Sequence, residues 1–172
     1  MSNYLEIEGN IGINCRSSNC MVIHPSELHM VFAVGSLIVV KSVEHERDRY
    51  LYGHTARVNY ITISNNGNLM GSAETQDIRT AEQAALIVWD FNSLEILYRV
   101  KYHKQCVRAL SFSCNEGLMA SIGGKQDGNQ LVVWNMDEGK SEILMQSFSL
   151  PVISKTRNAP TWLFSIEIRI SS

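Results

Sequence analysis

The strongest constraint on this chain is a hydrophobic run, closed by tryptophan and a small polar residue, that occurs twice. Leu86-Ile87-Val88-Trp89-Asp90-Phe91 recurs 45 residues later as Leu131-Val132-Val133-Trp134-Asn135-Met136. A period of this size marks a unit that cannot bury its apolar face alone and stacks on copies of itself. Upstream of each run the register is also kept. Val107 to Ser113 and Leu118-Met119-Ala120-Ser121 each stand 49 residues after their counterparts, the latter after Leu69-Met70-Gly71-Ser72. The difference between the two spacings falls in the connection before the tryptophan strand.

Each unit reads as four short strands. In the first, Cys20 to Ile23, Met30 to Val34, Leu37 to Val40 and Arg49 to Tyr52 are apolar, β-branched or aromatic runs separated by His24-Pro25, Gly35-Ser36 and the charged stretch Glu44 to Asp48. The second has Val58 to Ile63, Leu69 to Ala73, the run ending in Trp89, and Glu95 to Val100. No segment sustains a period of 3.6, so antiparallel sheets are expected and helices are not. A weaker alternation around Leu5 and Ile7 suggests one more strand before Gly9 and Gly12.

The connection from Glu74 to Ala85 is long and polar. Loops of that length without pairing are uncommon unless functional or mobile. Glu74, Gln76, Asp77, Arg79 and Glu82 are therefore candidate partner-binding residues, beside the plain reading of a solvated insertion, which costs little entropy. Thr80-Ala81-Glu82-Gln83 also fits a helix-capping pattern for one turn.

Composition narrows the function classes. At 172 residues, 45% hydrophobic and 19% charged, the chain has enough apolar content for a core and is not disordered. A net charge of -2 gives no general excess of base for nucleic acid or an anionic membrane. No run approaches the length of a membrane span, and Met1-Ser2-Asn3-Tyr4-Leu5-Glu6 lacks a signal-peptide pattern, so an intracellular place is expected. The cysteines Cys15, Cys20, Cys106 and Cys114 form no disulfide framework and are read as free thiols.

These units resemble the WD-repeat family, on Gly53-His54 before a first strand, Ser72 in a second and Trp89-Asp90 closing a third. The following unit has Tyr102-His103 and Trp134-Asn135 in those places, and the first has Val40-Lys41 where Trp-Asp would stand. The resemblance implies an all-β fold, an incomplete WD-repeat β-propeller of about three four-stranded antiparallel blades. The expected organisation is an N-terminal strand and turn over 1–13, a partial propeller over 14–149 (blades at about 14–52, 55–102 and 104–149), and a divergent tail over 150–172 that holds one possible strand of a further blade. It also implies a buried hydrogen-bonded set in each blade: His54, Ser72 and Trp89 in one, and His103, Ser121, Asp127 and Trp134 in the next. For the aspartate of the middle blade only Asp77 is on offer.

A narrower resemblance is to the cilia- and flagella-associated WD-repeat proteins that line axonemal doublet microtubules. It is carried by Ile11-Gly12-Ile13-Asn14, Tyr50-Leu51-Tyr52-Gly53-His54, the long loop before Ala85, and Ser121-Ile122-Gly123-Gly124 through Asp127-Gly128 to Trp134. It implies a structural, protein-binding scaffold of the cilium or flagellum, a microtubule inner protein contacting tubulin and other axonemal proteins. A general cytoplasmic scaffold is the alternative. Propellers have about four to eight blades, so three leave faces uncovered, and the chain is expected to aggregate or to associate obligately.

Motifs for other chemistry are missing. Gly123-Gly124 is not followed by the Lys-Ser/Thr of a phosphate loop, and there is no Gly-x-Ser-x-Gly elbow or zinc-protease histidine pair. Cys15, Cys20, His24 and His29 match no zinc-finger spacing. No catalytic residue, metal, cofactor, small-molecule substrate, nucleic acid or membrane partner is expected.

Overall fold

The computed structural model describes residues 19–44, 47–76, 82–136 and 146–149. The strand expected near Leu5, Asp77 and Arg79 of the long loop, and the tail over 150–172 lie outside them. The described residues form three four-stranded antiparallel sheets, each laid out in chain order. The first comprises β1 (Met21–Ile23), β2 (His29–Val34), β3 (Leu37–Ser42) and β4 (Arg49–Leu51). The second comprises β5 (Val58–Ile63), β6 (Leu69–Glu74), β7 (Ala84–Asp90) and β8 (Ile96–His103). The third comprises β9 (Val107–Phe112), β10 (Leu118–Gly123), β11 (Gln130–Asn135) and β12 (Gln146–Ser149).

The first hairpin of every sheet is built the same way. The N–H groups of His24, Ser64 and Ser113 donate to the carbonyls of His29, Leu69 and Leu118. The fourth residue of each turn, Glu27, Gly67 or Glu116, is left-handed, with φ of 60°, 82° and 61°. Glycine takes that conformation without strain, whereas the two glutamates meet a steric cost.

Neighbouring sheets approach through their inner strands, with β5 beside β9 on one side and beside β1 and β2 on the other. The last strands form the outer rim, where β8 alternates between exposed and half-buried residues for most of its length. In contrast, Ala84 through Trp89 of β7 are all buried. On one face Ile87, Trp89 and Phe91, with Val58, Ile61 and Met70, pack against Cys20, Val31, Ala33, Ile38, Val40 and Leu51 of the first sheet. On the other, Leu86, Val88 and Ala73 pack against Val107, Leu110, Met119, Val132 and Trp134 of the third. A strand covered on both faces has no solvent side, which is why this stretch reads as an unbroken hydrophobic run. Among the described residues the three sheets make an open arc with one core on each side of the middle sheet.

Strand pairing corrects one alignment. Trp89 pairs with Met70 and Trp134 with Met119, and the matching pair in the first sheet is Met30 with Lys41. Lys41-Ser42, one residue later than Val40-Lys41, therefore stand in the Trp-Asp place. By the same register Phe32, paired with Val39, replaces Ser72, paired with Ile87.

The second and third sheets meet tightly at Gly71, where an added Cβ would lie 2.8 Å from Leu110 Cδ2 and 3.2 Å from Phe112 Cζ. Gly71→Val is expected to lower stability by about 1–3 kcal/mol through overpacking. A denaturant melt of the variant checks this, and an unchanged midpoint would mean that the interface has slack there.

Candidate functional site: a buried histidine relay

Ser72 and Glu74 lie two residues apart on β6 and so share one face, about 7 Å apart along the strand. The His54 imidazole bridges them. Its Nε2 is 2.7 Å from Ser72 Oγ and its Nδ1 is 3.0 Å from Glu74 Oε2. The Trp89 indole N–H donates to Ser72 Oγ at 2.8 Å. A carboxylate can only accept, so Nδ1 carries the proton toward Glu74, while Nε2 meets Ser72 Oγ. The result is a relay from Trp89 through Ser72 and His54 to Glu74 in which every donor is used. Gly53 lets the chain run against the indole: a Cβ there would stand 2.8 Å from Trp89 Cη2.

Glu74 anchors more than the histidine. Oε2 also accepts from the backbone N–H groups of Thr55 at 2.9 Å and Ala56 at 3.1 Å, and Oε1 accepts from Ala85 N–H at 3.3 Å. Burial pushes this carboxyl up, but the hydrogen bonds from His54, Ala56 and Thr55 together with the charge of His54 outweigh burial and hold it down to about 2.

The expectation for Glu74 is corrected here. It is no solvated loop residue offered to a partner: it ends β6, is 3% exposed, and supplies the acid for which the sequence had suggested Asp77. The signal was in the repeat, since the 49-residue register carried two positions past Ser72 and Ser121 sets Glu74 against Gly123. Of the other loop candidates, Gln76 is half-buried and its N–H donates to the Gln105 carbonyl at 2.6 Å, whereas Glu82 is exposed and pairs with Lys101 across the surface.

The third sheet repeats the tryptophan, serine and histidine of the relay, but the expected fourth member, Asp127, does not join it. His103 Nε2 is 2.8 Å from Ser121 Oγ, which accepts the Trp134 indole N–H at 2.8 Å. With glycine at 123 there is no side chain below Nδ1, and a Cβ there would lie 2.6 Å from that nitrogen. Asp127 arrives instead from a 3-10 turn over Lys125–Asp127, its carboxylate accepting from Lys104 N–H at 2.7 Å and Gly124 N–H at 3.2 Å. His103 Nδ1 is buried and makes no hydrogen bond. Burial lowers the His103 pKa, and the nearby charge of Asp127 only partly opposes this.

The first sheet has no relay among the described residues: Phe32 and Lys41 stand in the serine and tryptophan places. Of the residues weighed as zinc ligands, Cys20 turns its Sγ toward the Val58 carbonyl, while His24 stacks on Phe91 and His29 meets Phe91 edge-on. Among the described residues no group of three or more His, Cys, Asp or Glu could hold a metal ion.

Serine, histidine and acid in series are also the parts of a hydrolytic triad. Here Ser72 is 0% exposed and its oxygen already accepts the indole N–H, so no substrate carbonyl can reach it. The relay orients and pairs buried groups.

No protein-family model matches the chain. It is 31% identical over 132 residues to cilia- and flagella-associated protein 52 of Mus musculus, covering 77% of this chain and 21% of that protein. To the protein of the same name in Chlamydomonas reinhardtii it is 32% identical over 142 residues, covering 82% of this chain and 23% of that one. The chain thus spans about a fifth of the length of these relatives. Among solved structures it is similar to the WD40 repeats of RRP9, with a TM-score of 0.60 and 21% identity, covering 75% of this chain and 37% of that one. The fold is that of an open WD-repeat β-propeller.

A carboxyl held below its ordinary value of 4.5 stabilises the fold above that pH, and its contribution is lost as pH falls toward about 2. Glu74→Gln is expected to cost about 1–3 kcal/mol at neutral pH and to flatten the loss of stability between those two values. Urea melts of both proteins at pH 7 and pH 3 check it. An unaltered pH dependence in the variant would remove Glu74 from this role.

Proposed function

We propose that this chain, a WD-repeat protein whose relatives are named for cilia and flagella, is a protein-binding scaffold of the axoneme with no catalytic activity of its own. The observation that carries the reading is the similarity to cilia- and flagella-associated protein 52 from a mammal and from a green alga, which runs through most of this chain. The physical reading agrees with it. The serine, histidine and acid of the middle sheet are buried and paired with one another, so what that sheet offers to other molecules is a surface.

More narrowly, the chain acts as a microtubule inner protein that contacts tubulin and neighbouring axonemal proteins to support cilium motility. Its partner-binding loop is the connection between β6 and β7. Gln76 at the base and Glu82 at the far end, with Asp77 and Arg79 between them, carry the contact; Glu74 does not.

The test is a tagged copy expressed in ciliated cells, followed by detergent extraction and salt washes of isolated axonemes. Retention with the doublets is expected, and Glu82→Lys with Arg79→Glu should lower it several-fold while leaving the melt unchanged. A tagged protein that stays diffuse and washes out favours a general cytoplasmic scaffold.

A further inference from the structure

Both interfaces between neighbouring sheets carry a polar contact between the same two turn positions, made to backbone in one and to a side chain in the other. His24, the first residue of the β1–β2 turn, donates from Nε2 to the carbonyl of Gly67 at 3.0 Å, its tautomer fixed by Ser26 N–H donating to Nδ1. Ser64, the same position in the β5–β6 turn, donates to Glu116 Oε1 at 2.5 Å, while Asn68 Nδ2 donates to Oε2 at 3.1 Å. Gly67 and Glu116 are the equivalent left-handed residues of their turns. The first residue of one turn thus binds the left-handed residue of the next.

Among the described residues two halves of this latch are left over. Ser113 holds the place of Ser64 in the third sheet, its Oγ accepting Leu118 N–H as Ser64 Oγ accepts Leu69 N–H, and its hydroxyl turned to Asn115. Glu27 holds the place of Glu116 in the first sheet and is exposed. These two are the same chemical pair as Ser64 and Glu116.

The apolar faces match in the same sense. Ala73, Leu86 and Val88 are buried against the third sheet, and their counterparts Ile122, Leu131 and Val133 are only half-buried. Ile61 and Ile63 pack toward the first sheet, and their counterparts Met21 and Ile23 are 48% and 62% exposed.

We propose that the third sheet of one copy of this chain docks on the first sheet of a second copy, the Ser113 hydroxyl donating to the Glu27 carboxylate. Made twice, the contact joins the six described sheets of two copies into a two-fold ring, within the range that propellers adopt.

Sedimentation of the whole chain from low to high micromolar concentration tests this. A two-chain mass is expected. Glu27→Arg, a change in an exposed turn, should weaken association about tenfold or more, and adding Ser113→Asp, which restores an opposite charge and can still accept Leu118 N–H, should recover it. Thermal melts at a dilution where each protein is monomeric control for folding. A monomer at every concentration, a mass other than two chains, an association indifferent to Glu27→Arg, or an absent rescue overturns the proposal.

Discussion

The indole N–H of Trp89 must be paired, because the ring is 2% exposed and a buried unpaired donor costs about 1–3 kcal/mol. Much of the middle sheet can be understood as the answer to that requirement. Ser72 takes the N–H, His54 holds the serine, and Glu74 takes the histidine N–H, each linked to the one before it. The carboxylate then gathers the backbone N–H groups of Thr55 and Ala56 where the chain enters β5, and that of Ala85 at the start of β7. A single aromatic side chain in the core thereby fixes how three segments of the sheet meet.

Such a network is favourable when complete and costly when partial. The three sheets sample that rule. The second has the full relay. The third keeps Trp134, Ser121 and His103 but leaves Nδ1 of the histidine unpaired, with its acid engaged on backbone instead. In the first, Phe32 and Lys41 replace serine and tryptophan together, and Phe32 is buried as an apolar residue. Losing the donor and its acceptor in step avoids an orphaned polar group, which removing either alone would create.

The sheets were legible in the sequence because their cause is local and periodic. A run buried on both faces, as in β7, and turns with fixed residue types at fixed offsets both leave a written trace. The relay was legible as far as the serine, histidine and tryptophan, whose spacings repeat. Glu74 was hidden by its setting: a glutamate between a strand and a polar stretch has the composition of a loop, and its hydrogen-bonded burial depends on His54, 20 residues earlier in the chain. The one-residue shift at Lys41 was hidden for a related reason. With no tryptophan to mark the strand end, only the pairing of Met30 with Lys41 sets the register.

The two acids also differ in what they leave free. Asp127 sits within the connection it stabilises, so that turn has to keep its length and shape for the carboxylate to reach Lys104 and Gly124. Glu74 does its work from the strand and ties off the base of the following connection through Ala85, with Thr75 and Gln76 held by the backbone of Arg57 and Gln105. Glu74 therefore constrains that connection only at its two ends, from the strand. A change of length between the two stems would leave each of these hydrogen bonds in place, whereas the turn that carries Asp127 has no such freedom, because its acid is part of the connection itself.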